Sequence, residues 1–493
     1  MGNAVGNLKE YWEAIEESDC TIGGCIWDWV DQAIYEPAEI MAGTWHGRIR
    51  TGYDFPGPHQ GNFCSNGLVL PDRSESPKLK EVKAVYQYVD FYAPDVDADS
   101  GKVSVSLKNK YHFTSLDRFV LGYETVRDGY VVGEGCVDLP SVQPGGSVTV
   151  EVPLKGADPA KAARKGQEVS LRLFLLRKDA SVYADSGHEE ARAGFLITER
   201  KALPVLRRDR RASGAGFIYG EDSTLSVVNG KVSMIFDLAT ARAVSLALDG
   251  REMFLNGEGF IFDNYRFIEN DRNDRPGAVP GNGLGKRVSV KVDKDPSGAP
   301  SVMTFREGSI ADQEIRYVLH GSGTVEVSVI LRPHSGNLYR AGVSCSLDPV
   351  YSNVAYYAYG PDDNYPDRGS GTMLGRYRQT VGQMLYPYIK PQSCGNREGM
   401  RELELLDDRG SGFLIEVDGS CSFSALPYSD EELMRTAHQW ELPDSERIVL
   451  HLDAMQKGLG NGSCGYRTFT LDEYCVPQKD AVIRFRISEA GGR

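Results

Sequence analysis

The chain reads as a mainly β protein: a short α/β portion first, then a small β-sandwich, then a much larger one. Three patterns predict this. A helical stripe followed by an apolar run opens the chain, period-two alternation takes over near residue 100, and hairpin turn signals punctuate the rest without any long helical stripe.

Leu8, Tyr11, Trp12 and Ile15 follow the i, i+3, i+4, i+7 spacing of an amphipathic helix. After it comes Gly23-Gly24-Cys25-Ile26-Trp27-Asp28-Trp29-Val30-Asp31-Gln32, an apolar run of strand length opened by a Gly pair and closed by charge. Such a run fits a strand buried on both faces in a parallel sheet. Helix, buried strand, then a polar and aromatic loop is how a (β/α) barrel builds its active-site rim. Only one such strand is visible, so the segment reads as the tail of a barrel whose catalytic strands lie upstream of Met1. The loop from about Tyr35 to Pro71 is long, and its Trp45, Tyr53, Phe55 and Phe63 argue against disorder. Ser76 and Pro77 then suit the N-cap and first position of a second helix, with Leu79, Val82, Val85, Tyr86 and Val89 as its apolar stripe.

Period-two alternation follows in Val103, Val105 and Leu107, in Val148, Val150 and Val152, and in Val169, Leu171 and Leu173. Short strands over about 100 residues predict an immunoglobulin-like sandwich. The division expected is 1–92, 93–202, a charged linker at 203–214 around Arg207-Arg208-Asp209-Arg210-Arg211, and 215–493. In that last part Asn229-Gly230 and Asp249-Gly250 are hairpin signals.

The 493 residues suit about three domains. A formal charge of −14 argues against nucleic acid and anionic membranes as partners, and no apolar run reaches the roughly 18 residues of a membrane span. Met1-Gly2-Asn3-Ala4-Val5 lacks the basic region and apolar core of a signal peptide, which in a partial chain says nothing about compartment. The nine cysteines have no zinc-site spacing and read as mostly buried free thiols.

Several stretches match one family in order and spacing. They are Met1-Gly2-Asn3, Gly23 through Gln32, Phe63-Cys64-Ser65-Asn66-Gly67-Leu68-Val69, Gly360-Pro361-Asp362-Asp363-Asn364-Tyr365-Pro366-Asp367-Arg368, Tyr386-Pro387-Tyr388, Arg401-Glu402-Leu403 and Gly458-Leu459-Gly460. The chain resembles the C-terminal half of a long-form β-galactosidase of glycoside hydrolase family two. The resemblance implies the last β/α part of a catalytic (β/α)8 barrel, an immunoglobulin-like sandwich, and a large terminal sandwich of galactose-mutarotase-like type. It implies hydrolysis of terminal β-galactosides with retention. Retention needs two carboxyls about 5 Å apart, and the resemblance places both glutamates upstream of this chain. Glu36 and Glu39 could share a helical turn, but solvated loop charge is the ordinary role of Glu.

By the same resemblance Trp27 forms a wall of the galactose pocket, where a ring can stack on a sugar's C–H face. Trp29 reads as core. The Phe63 carbonyl and Asn66 side chain correspond to a sodium site, with Asn66 also near substrate, since hard cations take oxygen ligands. His59 corresponds to a polar position near magnesium. Cys464 stands where some members carry an aglycone-binding tryptophan, which removes a stacking surface for lactose. The remaining acids and Gly-rich runs read structurally: Asp362, Asp363 and Asp367 as surface turn residues without EF-hand spacing, and His438 with Glu441 as a pair in no metal motif. The implied partners are a β-galactoside, a missing N-terminal region or complementing chain, and a possible second copy. A small subunit completing a separate large chain, or a non-catalytic carbohydrate-binding sandwich, are the other readings.

Overall fold

The computed structural model describes residues 2–34, 48–61, 63–97, 101–206, 216–268, 284–334, 338–460 and 469–491. Trp45, Glu36, Glu39, the Arg207–Arg211 run and Cys464 lie outside the described residues.

The first segment holds the two expected helices, α1 (Leu8–Glu16) and α2 (Pro77–Val85). Leu8, Leu68 and Val82 form a small core between them, and Trp12 packs on Tyr86 with ring centroids 4.1 Å apart. Pro77 opens α2 as expected, but the Ser76 hydroxyl does not cap the helix; it donates to the Leu68 carbonyl. The expected strand at 25–30 is not a regular strand. It runs beside residues 66–69 with one parallel bridge, Val30 to Val69. Among the described residues it has a neighbour on that side only, and the face bearing both tryptophans is uncovered: Trp27 is 75% exposed, and Trp29, expected in the core, is 56% exposed.

The small sandwich packs two four-stranded antiparallel sheets. One holds Val89–Phe91, Asp95–Asp97, Lys102–Asn109 and Ser147–Pro153; the other Phe119–Arg127, Tyr130–Asp138, Val169–Arg177 and Glu189–Thr198. The alternating valines and leucines predicted this: Val103, Val105, Leu107, Leu171 and Leu173 all point into its core. Val89–Phe91 pairs with Lys102–Asn109, so pairing with this sheet begins before residue 92.

The terminal part is a five-stranded sheet over Gly216–Glu252 packed against a curled twelve-stranded sheet, sharing one large core. Both hairpin signals hold. Asn229 pairs with Val232 around Gly230, and Leu248 pairs with Arg251 around Asp249 and Gly250, both at positive φ as a type I′ turn needs. Of the eight described cysteines only Cys345, Cys394 and Cys421 are buried; Cys20, Cys25 and Cys136 are exposed, against the expectation of mostly buried thiols.

Candidate functional site

The site is built on the pairing of the Trp27 segment with residues 66–69. The Asp28 N–H donates to the Asn66 carbonyl at 3.2 Å, the Leu68 N–H to the Asp28 carbonyl at 3.0 Å, and the Asp31 N–H to the Val69 carbonyl at 3.0 Å. Gly67 sits at the closest approach: a Cβ there would lie 2.1 Å from the Asp31 nitrogen and 2.3 Å from the Val30 carbonyl carbon, so only Gly fits. Both its peptide groups are held by buried side chains. Its N–H donates to Asp31 Oδ1 at 2.7 Å, and its carbonyl accepts from Lys78 Nζ at 2.5 Å. Burial lowers the Lys78 pKa to about 8, with Asp31 opposing that shift.

This scaffold fixes Asn66. Its side chain is buried, and Oδ1 has no hydrogen-bond partner. A buried carbonyl oxygen left open in this way fits a hard cation such as sodium. Phe63 lies three residues before it, half-buried, with its N–H donated to the Gln60 carbonyl at 3.2 Å. His59 is exposed, and its Nδ1 accepts from the Gly61 N–H at 3.1 Å. Among the described residues no group of three His, Cys, Asp or Glu side chains is placed to hold a metal ion.

The terminal sandwich is stitched to this segment by acids that the sequence left on surface turns. Asp363 and Asp367 are buried. Asp363 pairs with the buried Arg368 at 2.8 Å, and Arg368 also donates to the Gly2 carbonyl. Asp367 accepts from the Leu459 N–H at 2.8 Å and the Gly460 N–H at 2.6 Å, while its own carbonyl accepts from the Asn7 N–H. Burial raises its pKa, and those amide donors oppose the shift. Glu81 of α2 accepts from the Gly371 N–H at 3.0 Å. His438 bridges Glu441 at 2.9 Å and Asp54 at 2.7 Å and stacks on Trp440, so that pair is a tie between the loop at Asp54 and the sandwich. The GPDDNYPDR run could have signalled this role only through its density of acid, amide and arginine, because no periodicity marks it.

With this layout in place, the comparisons are consistent along the chain. Residues 1–91 match the "Glycosyl hydrolases family 2, TIM barrel domain", 105–198 match "Beta-galactosidase, domain 4", and 228–487 match "Beta galactosidase small chain". The chain belongs to the β-galactosidases of glycoside hydrolase family two and aligns with their C-terminal part. Among relatives, the β-galactosidase of Priestia megaterium (strain DSM 319 / IMG 1521) is 30% identical across 93% of this chain and 44% of its own length. That of Lactobacillus delbrueckii subsp. bulgaricus is 28% identical across 98% of this chain and 46% of its own. The chain thus spans about half the length of the curated relatives it matches. A solved galactose 1-epimerase from Lactobacillus acidophilus NCFM overlaps 57% of this chain and 99% of its own, at 8% identity and a TM-score of 0.32.

Proposed function

We propose that this chain is part of a retaining β-galactosidase acting on terminal β-D-galactosides, and that it supplies one wall of the sugar pocket but neither catalytic carboxyl. The observation that carries the reading is the pairing of an exposed Trp27 with a neighbouring buried Asn66 whose side-chain oxygen is open. Trp27 offers a ring for the sugar's C–H face. Asn66 Oδ1 and the Phe63 carbonyl would hold sodium, which supplies fixed positive charge for orienting a sugar hydroxyl. Asp31, Gly67 and Lys78 keep that turn rigid, and Asp367 holds the Leu459–Gly460 strap, which leads toward Cys464, against the first segment. The nucleophile and the acid/base come from outside residues 1–493, from the preceding barrel strands, which would also cover the uncovered edge at 25–30. His59 is not assigned a step.

The test is complementation. The purified chain is assayed on an aryl β-galactoside with and without a fragment carrying the preceding barrel strands of the Priestia megaterium relative. Activity only with the fragment, reduced by Trp27→Ala and dependent on sodium through Asn66, supports the reading. Turnover by the chain alone, lost on Glu36→Gln or Glu39→Gln, overturns it.

A further inference from the structure

The terminal sandwich contains a second polar hollow, built without Trp27, Phe63 or Asn66. A cavity of about 360 Å³ lies where Ile261–Asp263, Arg340–Leu347 and Ile448–Gln456 run side by side, with Ser429, Asp430 and Glu431 also in its wall. The register explains which groups meet there. Ser344 pairs with Ile261 on one flank and His451 on the other; two residues along, Gly342 pairs with Asp263 and Asp453. Residues two apart on a strand share a face, so Asp263, His451 and Asp453 project on the same side. Gly342 lets the buried Asp453 lie directly over the strand, since a Cβ there would sit 1.9 Å from Asp453 Oδ1.

Internal bonding uses only part of these groups: Asp263 Oδ1 accepts from the Tyr265 N–H at 2.8 Å and Asp453 Oδ2 from the Gln456 side-chain amide at 3.0 Å. His451 is only 4% exposed, and its Nδ1 has no hydrogen-bond partner; it lies 3.6 Å from Asp263 Oδ2, beyond hydrogen-bond reach. Asp453 Oδ1 and two nitrogens of the buried Arg340 beside it are likewise without partners. Burial and the Arg340 charge hold the His451 imidazole well below its usual range, so Nδ1 meets a ligand uncharged. Buried polar atoms are normally satisfied, so the open His451 Nδ1 in the wall of this cavity points to a polar occupant.

The wall states what kind. Asp263, Asp430 and Glu431 oppose a simple anion, while Arg242 and Arg447 oppose a simple cation. Among the described residues no three-ligand metal cluster exists. A hydroxyl donates and accepts from one atom, so a ring of hydroxyls satisfies carboxylates, guanidiniums and a neutral imidazole together. The volume is at the small end of ligand pockets.

We propose that this cavity binds a neutral polyhydroxylated ligand the size of one sugar ring, with Asp263 and His451 Nδ1 hydrogen-bonding adjacent hydroxyls. The site does not depend on the catalytic reading above. The experiment is saturation-transfer NMR on the whole chain with D-galactose and myo-inositol as probes. At least one probe gives a saturable signal that persists in Trp27→Ala. Asp263→Asn and His451→Leu each weaken it about tenfold, the value of one buried hydrogen bond to a charged or fixed partner. Ser344→Leu fills the hollow without altering charge and abolishes the signal, which keeps the test decisive if a charge variant fails to fold. No saturable signal from either probe overturns the proposal. So does a signal lost in Trp27→Ala but kept in Asp263→Asn and Ser344→Leu, which would place the sugar in the first segment instead.

Discussion

Replacing Asp367 with Asn tests whether one buried carboxylate holds the Leu459–Gly460 strap that packs against Gly6 of the first segment. In the native chain its two oxygens receive the Leu459 and Gly460 N–H groups, at 2.8 and 2.6 Å, with no room for a competing solvent shell. Asn keeps the shape and one acceptor oxygen but turns an NH2 toward amide donors. One charge-assisted bond is lost, about 1.5–3 kcal/mol. The raised pKa of Asp367 shows that burying the charge already costs something, which returns part of that loss. A net of about 2 kcal/mol is therefore expected, or roughly 30-fold more frequent local opening. The assay is amide hydrogen exchange read at Leu459 and Gly460. Gly6→Ala is the uncharged companion: its Cβ would sit 2.2 Å from the Gly460 nitrogen and must push the same two segments apart. Faster exchange at these two amides in both variants, with strands such as Thr324–Pro333 unaffected, supports the clamp. If both amides exchange in Asp367→Asn as in the native chain, the carboxylate is not what holds the strap.

Three further outcomes are expected. Burial raises Asp263 to about 6 and Asp453 and Glu398 to about 7, so the folded state holds protons that the unfolded state has released above about pH 4. Stability then falls as pH rises through that window; the depressed His451 opposes this below its unfolded value near 6.5 but is one group against three. A drop on the order of 2 kcal/mol between about pH 5.5 and 7.5 should appear in urea midpoints and flatten in Asp453→Asn, and a rise instead would contradict the assignment. Gly67→Ala should destabilise the first segment by about 3 kcal/mol or more, because its Cβ meets backbone rather than a movable side chain; protease resistance of residues 2–85 equal to native would refute this. Glu168→Ala leaves Arg401, held at 3.0 Å across the two sandwiches, buried without its partner, at a cost of about 3–5 kcal/mol. Calorimetry should then separate the small and large sandwiches into two transitions, whereas a single transition at the native midpoint would show the pair to be dispensable.

What the sequence disclosed, and what it did not, follows from the range of each interaction. The helices at Leu8–Glu16 and Pro77–Val85, the alternating strands of the small sandwich and both hairpins were legible because period and turn chemistry are local. The apolar run at 25–30 misled for the opposite reason. Its composition describes a strand with neighbours on both sides, but burial belongs to the assembled sheet, and among the described residues only 66–69 lie beside it, leaving Trp29 on the surface. Asp363 and Asp367 misled in the other direction. Acids beside prolines look like solvated turn residues, yet their partners are Arg368, Leu459 and Gly460, the last two more than ninety residues from Asp367 along the chain. Long-range partners also made Asn66 identifiable only in part. The resemblance marked the residue, whereas the turn that buries it is held by Asp31 and Lys78 on the neighbouring Gly67, and its open Oδ1 shows only once those contacts are in place. The same logic places the Asp263–His451 hollow beyond any motif: its walls come from Ile261–Asp263, Arg340–Leu347 and Ile448–Gln456, strands far apart along the chain.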